Sequence, residues 1–356
     1  MSEKSGRKRS SPKAASSKRP DQRSDPKSVR YKIRRKIPDP SYSLSELVRP
    51  SVPTSPRRKR IKDDQVNFAI TGIPPVGRVE PQPFLKWVGG KSQLLAQFDE
   101  FLPNHVDRYF EPFIGGGAVF FHLKHRFPQM RAFLRDNNDE LINTYIAVRD
   151  HPKALMRRLD EHLTEFRADR ERYYYLVRSR HHLPRADVVE RAARMIFLNK
   201  TCFNGLWRVN ASVEFNVPIG SQTNPGLYDR ENILAASWIL EGVHLAAQDF
   251  RDTLNEPRHG DFVYVDPPYH PISPTASFTS YTKEDFGMSE QQELAALFAD
   301  ASRRGVRLML SNSDAEFIRK LYRGFKIYTV KARRAINCDG SKRGKINEVV
   351  VIAGGG

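Results

Sequence analysis

From residue 81 onward the chain alternates short apolar runs with stretches of helical periodicity, and few folds accept that alternation. Seven runs read as strands: residues 108–110, 131–135, 244–247, 262–265, 307–310, 326–330 and 348–352. Strands separated by helical stretches build a sheet with helices on its faces, so an α/β domain is expected. Between the second and third runs, about residues 140–236 carry helical periodicity without a convincing strand. Such a block predicts a second, mostly helical domain inserted into the first. The expected division is 81–145 with 237–356 for the sheet domain and 146–236 for the helical one. The step Pro81-Gln82-Pro83 marks the end of a preceding linker.

The segment before that step differs in kind. Residues 1–60 hold 19 Lys and Arg against 5 Asp and Glu, a net of +14 out of +18 for all 356 residues. Ser and Pro are frequent there and core-forming residues few, so a disordered basic tail and linker is expected over residues 1–80, with a hint of helix at 42–48. Clustered Lys and Arg release counterions from a phosphate backbone, which suits a non-specific nucleic-acid arm; the plainer alternative is a solvated tail with no single role. The other 296 residues carry only +4. Two cysteines, Cys202 and Cys338, are too few for a disulfide framework or a four-ligand zinc site and suit a reducing compartment. No apolar run approaches the ~20 residues of a spanning helix, and the N-terminus lacks the apolar segment of a secretory signal, so a soluble protein is expected.

The sharpest local feature is Asp266-Pro267-Pro268-Tyr269, directly after the apolar run 262–265. In open α/β sheets, ligands gather beyond the carboxyl ends of strands, where this tetrapeptide falls. Two prolines remove two N–H donors and fix the backbone, leaving carbonyl oxygens, a carboxylate and an aromatic ring. Asp266 and the Pro267 carbonyl can accept both hydrogens of an exocyclic amine while Tyr269 stacks on its ring. An ordinary strand-ending turn would use the same letters. A second feature, Glu111-Pro112-Phe113-Ile114-Gly115-Gly116-Gly117, runs from a strand through glycines into a helical stretch and lets a ligand approach the backbone. Nineteen residues past Gly117, at the end of the next strand, Asp136 stands where acidic side chains commonly take ribose hydroxyls; as a helix cap it would need no ligand. The folded part opens on Phe84-Leu85-Lys86-Trp87-Val88-Gly89-Gly90-Lys91, a bend with two cations and an aromatic.

These motifs, with Asp136-Asn137-Asn138-Asp139, Asn204-Gly205-Leu206-Trp207-Arg208 and the long stretch 266–281, occur in the order and at about the spacing of the Dam family of DNA adenine-N6 methyltransferases. The resemblance covers about three quarters of the chain, from residue 83 onward. It implies a Rossmann-like methyltransferase sheet, mostly parallel with an antiparallel edge strand, and an inserted helical target-recognition domain. The implied reaction moves a methyl group from S-adenosylmethionine, with no metal, to N6 of an adenine flipped out of a short GATC-like duplex site. By similarity Trp87, Lys91, Gly115, Gly117, Asp136 and the pair Asp249-Phe250 hold the cofactor. Asp266 faces both cofactor and base, and Pro267, Pro268 and Tyr269 complete the catalytic turn. Residues 273–281 are expected to close over the flipped base.

For DNA, the resemblance points to Lys86 on a guanine, Phe203 as a wedge, and Asn204 and Arg208 as readers, since Arg pairs bidentately with guanine. Core packing of Phe203 and Trp207 is the competing reading. The chain has Phe203 where a Tyr is familiar, and residues 220–224 lack the basic-aromatic character of some members, which bears on the outer base pairs. Arg333 and Arg334, in a basic run between the last two strands, are candidates for phosphate contact. Expected partners are double-stranded DNA and a cognate restriction enzyme, with a monomer in solution, no membrane, and a cytoplasmic, nucleoid-associated location. Two other functions stay open: an N4-cytosine or RNA amino-methyltransferase, and a catalytically inactive DNA-binding regulator on the same scaffold.

Overall fold

The computed structural model describes residues 80–180, 187–210, 212, 214–272, 286–333 and 345–354, with the side chains of Arg333 and Lys345 excepted. The basic tail with its hinted helix, the segment 273–281, Arg334 and Cys338 lie outside the described residues. Seven strands form one sheet: β1 Arg108–Glu111, β2 Arg131–Asp136, β3 His244–Ala247, β4 Phe262–Val265, β5 Arg307–Ser313, β6 Lys326–Arg333 and β7 Lys345–Ala353. Every run read as a strand is one, and β5, β6 and β7 extend beyond the apolar letters that revealed them.

The order is β3-β2-β1-β4-β5-β7-β6. The first five in that order are parallel neighbours, with Phe110 opposite both Phe133 and Val263, and Val265 opposite Leu310. The antiparallel part sits at one edge, where β7 runs against β5 and against the outermost strand β6. The chain thus builds outward from β1 to β3, then returns to the other side of β1 with β4. That reversal opens a crevice beyond the carboxyl ends of β1 and β4.

Alternation along the strands assigns side chains to two cores. Tyr109, Phe262, Tyr264 and Met309 face one, with Phe98, Phe120 and Tyr145. Phe110, Val263, Val265, Leu308 and Leu310 face the other, against Leu294, Phe298 and Ile318. The covering helices of the first face are α1 Leu95–Phe98, α2 Ala118–Arg126 and α3 Asp139–Asp150; α8 Phe250–Asn255, α9 Met288–Arg303 and α10 Glu316–Leu321 cover the second.

Between β2 and β3 the chain adds α4 Pro152–Ala168, α5 Arg170–Ser179, α6 Val188–Thr201 and α7 Arg230–Ile239. In α4, Leu155, Leu159, His162 and Phe166 make one buried stripe, and Pro152 begins the helix where its missing N–H costs nothing. In α6 every residue from Ala192 to Asn199 is buried, which makes it the axis of the helical part. The expected boundaries at 145/146 and 236/237 fall inside α3 and α7. Phe166, Tyr174 and Phe197 from the helical part belong to the same core as Tyr109 and Tyr264 of the sheet.

Candidate active site

Beyond Val265, the last residue of β4, the chain turns through Asp266-Pro267-Pro268-Tyr269. Asp266 Oδ2 is 2.7 Å from the Lys91 ammonium, and its side chain keeps only 19 % of its surface exposed. Its other oxygen, Oδ1, is buried and has no hydrogen-bond partner among the described residues. An unpaired buried acceptor is costly, so such an atom is a place to look for a ligand's donor. Lys91, itself buried, also donates to the Gly89 carbonyl and lies 4.8 Å from the centre of the Tyr269 ring. The Tyr269 hydroxyl donates to Glu348 Oε2 on β7 at 2.8 Å. Burial pushes the Asp266 carboxyl above the usual range, and the Lys91 charge acts against that push. Burial likewise raises Glu348, again opposed by Lys91.

At the end of β1 stands Glu111, fully buried, with the Tyr109 hydroxyl donating to its Oε2 at 2.7 Å. Burial drives its carboxyl well up, and Asp266 and Asp136 add to the rise. The turn that follows is shaped by contacts only glycine tolerates. Gly115 has φ +46 and a Cβ there would lie 2.7 Å from the Trp87 indole; Gly117 has φ +71 and a Cβ would meet the Tyr145 hydroxyl at 2.6 Å. Tyr145 donates to the Gly115 carbonyl at 3.0 Å. Asp136, at the end of β2, accepts from Gly115 N at 3.2 Å and from Asn138 N at 3.0 Å. Those bonds lower its carboxyl, but burial dominates and pushes it up to about 6. The helix cap is Asn138, which accepts from Leu141 N, so Asp136 is not the N-cap of α3.

Asp249 follows β3 and caps α8, accepting from Arg251 N and pairing with the Arg251 guanidinium. Phe250 is buried, its ring 5.5 Å from that of Phe113 in a stacked arrangement and 4.6 Å from Arg251 Cζ. Asp136, Asp249, Asp266 and the Gly115 turn therefore all lie at or just past the carboxyl ends of the parallel strands, although Gly115 and Asp266 are 151 residues apart in the chain.

Of the expected DNA contacts, Lys86 is tied to the end of α6, and Phe203, Asn204 and Arg208 follow it in the chain. The Asn199 side chain accepts from Lys86 N at 2.8 Å and donates to the Lys86 carbonyl at 2.7 Å and the Gly205 carbonyl at 3.1 Å. One short segment therefore places Lys86 on α6, Trp87 on the glycine turn and Lys91 on Asp266. Phe203 is 46 % exposed, which removes the core-packing reading for it; Trp207 does pack, 5.0 Å from Phe215. Asn204 is exposed in the left-handed region at φ 56. Arg208 donates to Asn216 across a narrow ribbon in which Val209 bridges Phe215. Arg333 ends β6, remote in sequence from these groups.

Sequence reading missed Glu348, Tyr145, Asn199, and two buried amides, Gln291 on α9 and Asn312 on β5. Glu111 was missed as well, although it had a visible signal as the first letter of its glycine-containing motif. The assembled site can hold a cation beside carboxylates, receive a flat ring at Tyr269 and accept hydrogens at Asp266.

Comparison with known proteins agrees with the geometry. Residues 87–336 match the profile of the D12 class of N6 adenine-specific DNA methyltransferases. A Type II methyltransferase, M.MjaIII, of Methanocaldococcus jannaschii is 43 % identical over 74 % of this chain and 96 % of its own. A Type II methyltransferase, M1.LlaDCHI, of Lactococcus lactis is 41 % identical over 77 % and 96 %. A DNA adenine methylase of Haemophilus influenzae is 32 % identical over 78 % and 95 %. With the profile covering more than half of its length, and a mostly parallel α/β sheet that ends in the expected turns, the chain belongs to the D12 class of N6 adenine-specific DNA methyltransferases.

Proposed function

We propose that this enzyme transfers a methyl group from S-adenosylmethionine to N6 of an adenine flipped out of a short, GATC-like site in duplex DNA. The observation that carries the reading is Asp266 Oδ1, a buried acceptor without a partner among the described residues, at the reversal of the sheet and followed in the chain by Pro267. The residues present fit the donor. Trp87, Lys91, Gly115, Gly117, Asp136, Asp249, Phe250 and Asp266 would hold it, with Asp136 offered to the ribose hydroxyls and the glycine turn leaving its backbone open to close approach. When bound, S-adenosylmethionine supplies an electrophilic methyl group on a positively charged sulfur.

An aromatic amine is a poor nucleophile because its lone pair is delocalised into the ring. Asp266 Oδ1 and the Pro267 carbonyl accept its two hydrogens, which favours a more tetrahedral nitrogen with an available lone pair, and one of those N6 protons is lost during or after the transfer. The Lys91 ammonium opposes the burial that raises the Asp266 carboxyl. Tyr269 receives the base by stacking, offsetting part of the few kcal/mol, as a rough scale, that unstacking costs. Its hydroxyl is tied to Glu348, so the ring is held before the base arrives. Catalysis is then chiefly positioning and hydrogen bonding fixed in advance.

On the DNA side Phe203 fills the gap left by the base, Arg208, Asn204 and Lys86 read the site, and Arg333 and Arg334 touch phosphates. The helical part, roughly 146–236, serves as target-recognition domain. The enzyme works as a monomer at the nucleoid, and the Type II names of two relatives favour a cognate restriction enzyme. The test is Asp266→Ala in the full chain. Transfer should fall on the order of 10³-fold, comparable to losing a key electrostatic group, with duplex affinity kept within a few fold. An equal loss of duplex binding would assign Asp266 to the fold and not to the chemistry.

A further inference from the structure

The catalytic turn is gripped by side chains that play no part in the reading above. Pro267 and Pro268 bring no N–H to the turn, so its main chain has few handles. Gln291, fully buried on α9, donates through Nε2 to the Pro268 carbonyl at 2.8 Å. Asn312, fully buried near the end of β5, donates through Nδ2 to Gln291 Oε1 at 3.1 Å. Asn312 Oδ1 in turn accepts from His270 N at 3.2 Å and from Ser313 N at 2.8 Å. Ser313 Oγ closes the other side of the loop by donating to the His270 carbonyl at 2.6 Å.

The direction of this relay is forced. A proline carbonyl only accepts, so Gln291 must turn its NH₂ group toward Pro268 and its oxygen toward Asn312. Two backbone N–H groups at the far end require the Asn312 oxygen there. Flipping either amide would leave buried groups of like polarity facing each other. The placement of Gln291 is fixed independently, because Glu290 beside it bonds to Gly287 N at 2.7 Å and anchors the first turn of α9.

We infer that Gln291 and Asn312 are positioning residues for methyl transfer: together they set the height and tilt of the Pro267-Pro268 turn, and through it the place of Asp266 Oδ1 and the Pro267 carbonyl. The inference rests on the proposed role of Asp266. Among the described residues no hydrogen bond joins Gln291 or Asn312 to Trp87, Asp136, Phe203 or Arg208, so the relay reaches the donor and the DNA only through the catalytic turn.

The experiment is single-turnover methylation of an adenine-containing duplex, at saturating S-adenosylmethionine, with the full chain and Gln291→Leu, Asn312→Asp and the double variant. Asn312→Asp keeps the shape and the acceptor for His270 N but removes the donor to Gln291. Each single variant should lose rate by roughly 10²-fold, the scale of an ~1 Å misplacement, with donor and duplex dissociation constants within about threefold of the parent value. The double variant should be no slower than the worse single, because one relay is broken once. Unchanged rates in folded singles, or losses that multiply and follow the fall in unfolding midpoint, would overturn the assignment. Should Gln291→Leu fail to fold, Asn312→Asp alone decides by the same split between rate and affinity. Asp266→Ala runs beside them: full activity in that variant would sink the reading of Asp266, whereas a dead Asp266→Ala with fully active relay variants would sink only the relay.

Discussion

Lys91, 175 positions away in the chain, pairs with one oxygen of Asp266, while the other has no partner among the described residues and stays available as an acceptor. Burial raises the Asp266 carboxyl and the ammonium opposes it, which fixes the sign of a pH effect. Lys91→Met removes the opposing charge, so the acid limb of the transfer rate at saturating donor should move to higher pH; an unmoved limb would show that Lys91 does not set the ionisation of Asp266. Asp266, Tyr269 and the glycine turn were legible in the sequence because each motif is local and needs residue types rarely placed together by chance. Glu348, Gln291 and Asn312 were not. Each is one polar letter in an otherwise regular strand or helix, and its partner lies 79, 23 or 42 residues away. Nothing in the spacing separates such a letter from a solvated one.

At the scale of elements, the reversal between β1 and β4 gathers the ends of four strands into one crevice. The strands were legible from apolar runs, and the polar end of β5, Ser311-Asn312-Ser313, was hidden because its side chains are buried by hydrogen bonding and not by hydrophobicity. The helical insertion was legible as helix but not in its attachment, since the shared core and the grip of Asn199 on Lys86 join residues 113 apart. Phe203 and Trp207, four residues apart, separate cleanly by exposure. Phe203→Ala should leave the unfolding midpoint almost unchanged while lowering transfer and the fluorescence rise of a 2-aminopurine placed at the target adenine. Trp207→Ala should instead cost stability, about 2 kcal/mol for a partly buried aromatic. Equal stability losses at the two positions would contradict the wedge assignment.

Over the whole molecule, several carboxyls around the carboxyl ends of β1, β2, β4 and β5 are raised together: Glu111, Asp136, Asp266 and Glu348, the last opposite Ser313. A raised carboxyl binds its proton longer in the fold than in the unfolded chain, so the fold loses stability as pH rises through that window. For Asp136 the window runs from 3.8 to about 6. The ligand-free protein should therefore unfold at lower urea as pH rises across it, and Asp136→Asn should flatten the slope; an identical slope in the variant would count against the buried charge. Charge also divides the chain, with +14 of +18 in residues 1–60. Deleting those residues should shallow the salt dependence of duplex binding without changing the sequence methylated, because phosphate contacts do not read bases. A new target sequence after the deletion would give the tail a larger role. The most direct measurement is to incubate the full chain with S-adenosylmethionine labelled in its methyl group and with duplex DNA or RNA, then digest to nucleosides. Label is expected in N6-methyldeoxyadenosine from DNA; label in N4-methylcytosine or in RNA, or none at all, would contradict the proposal.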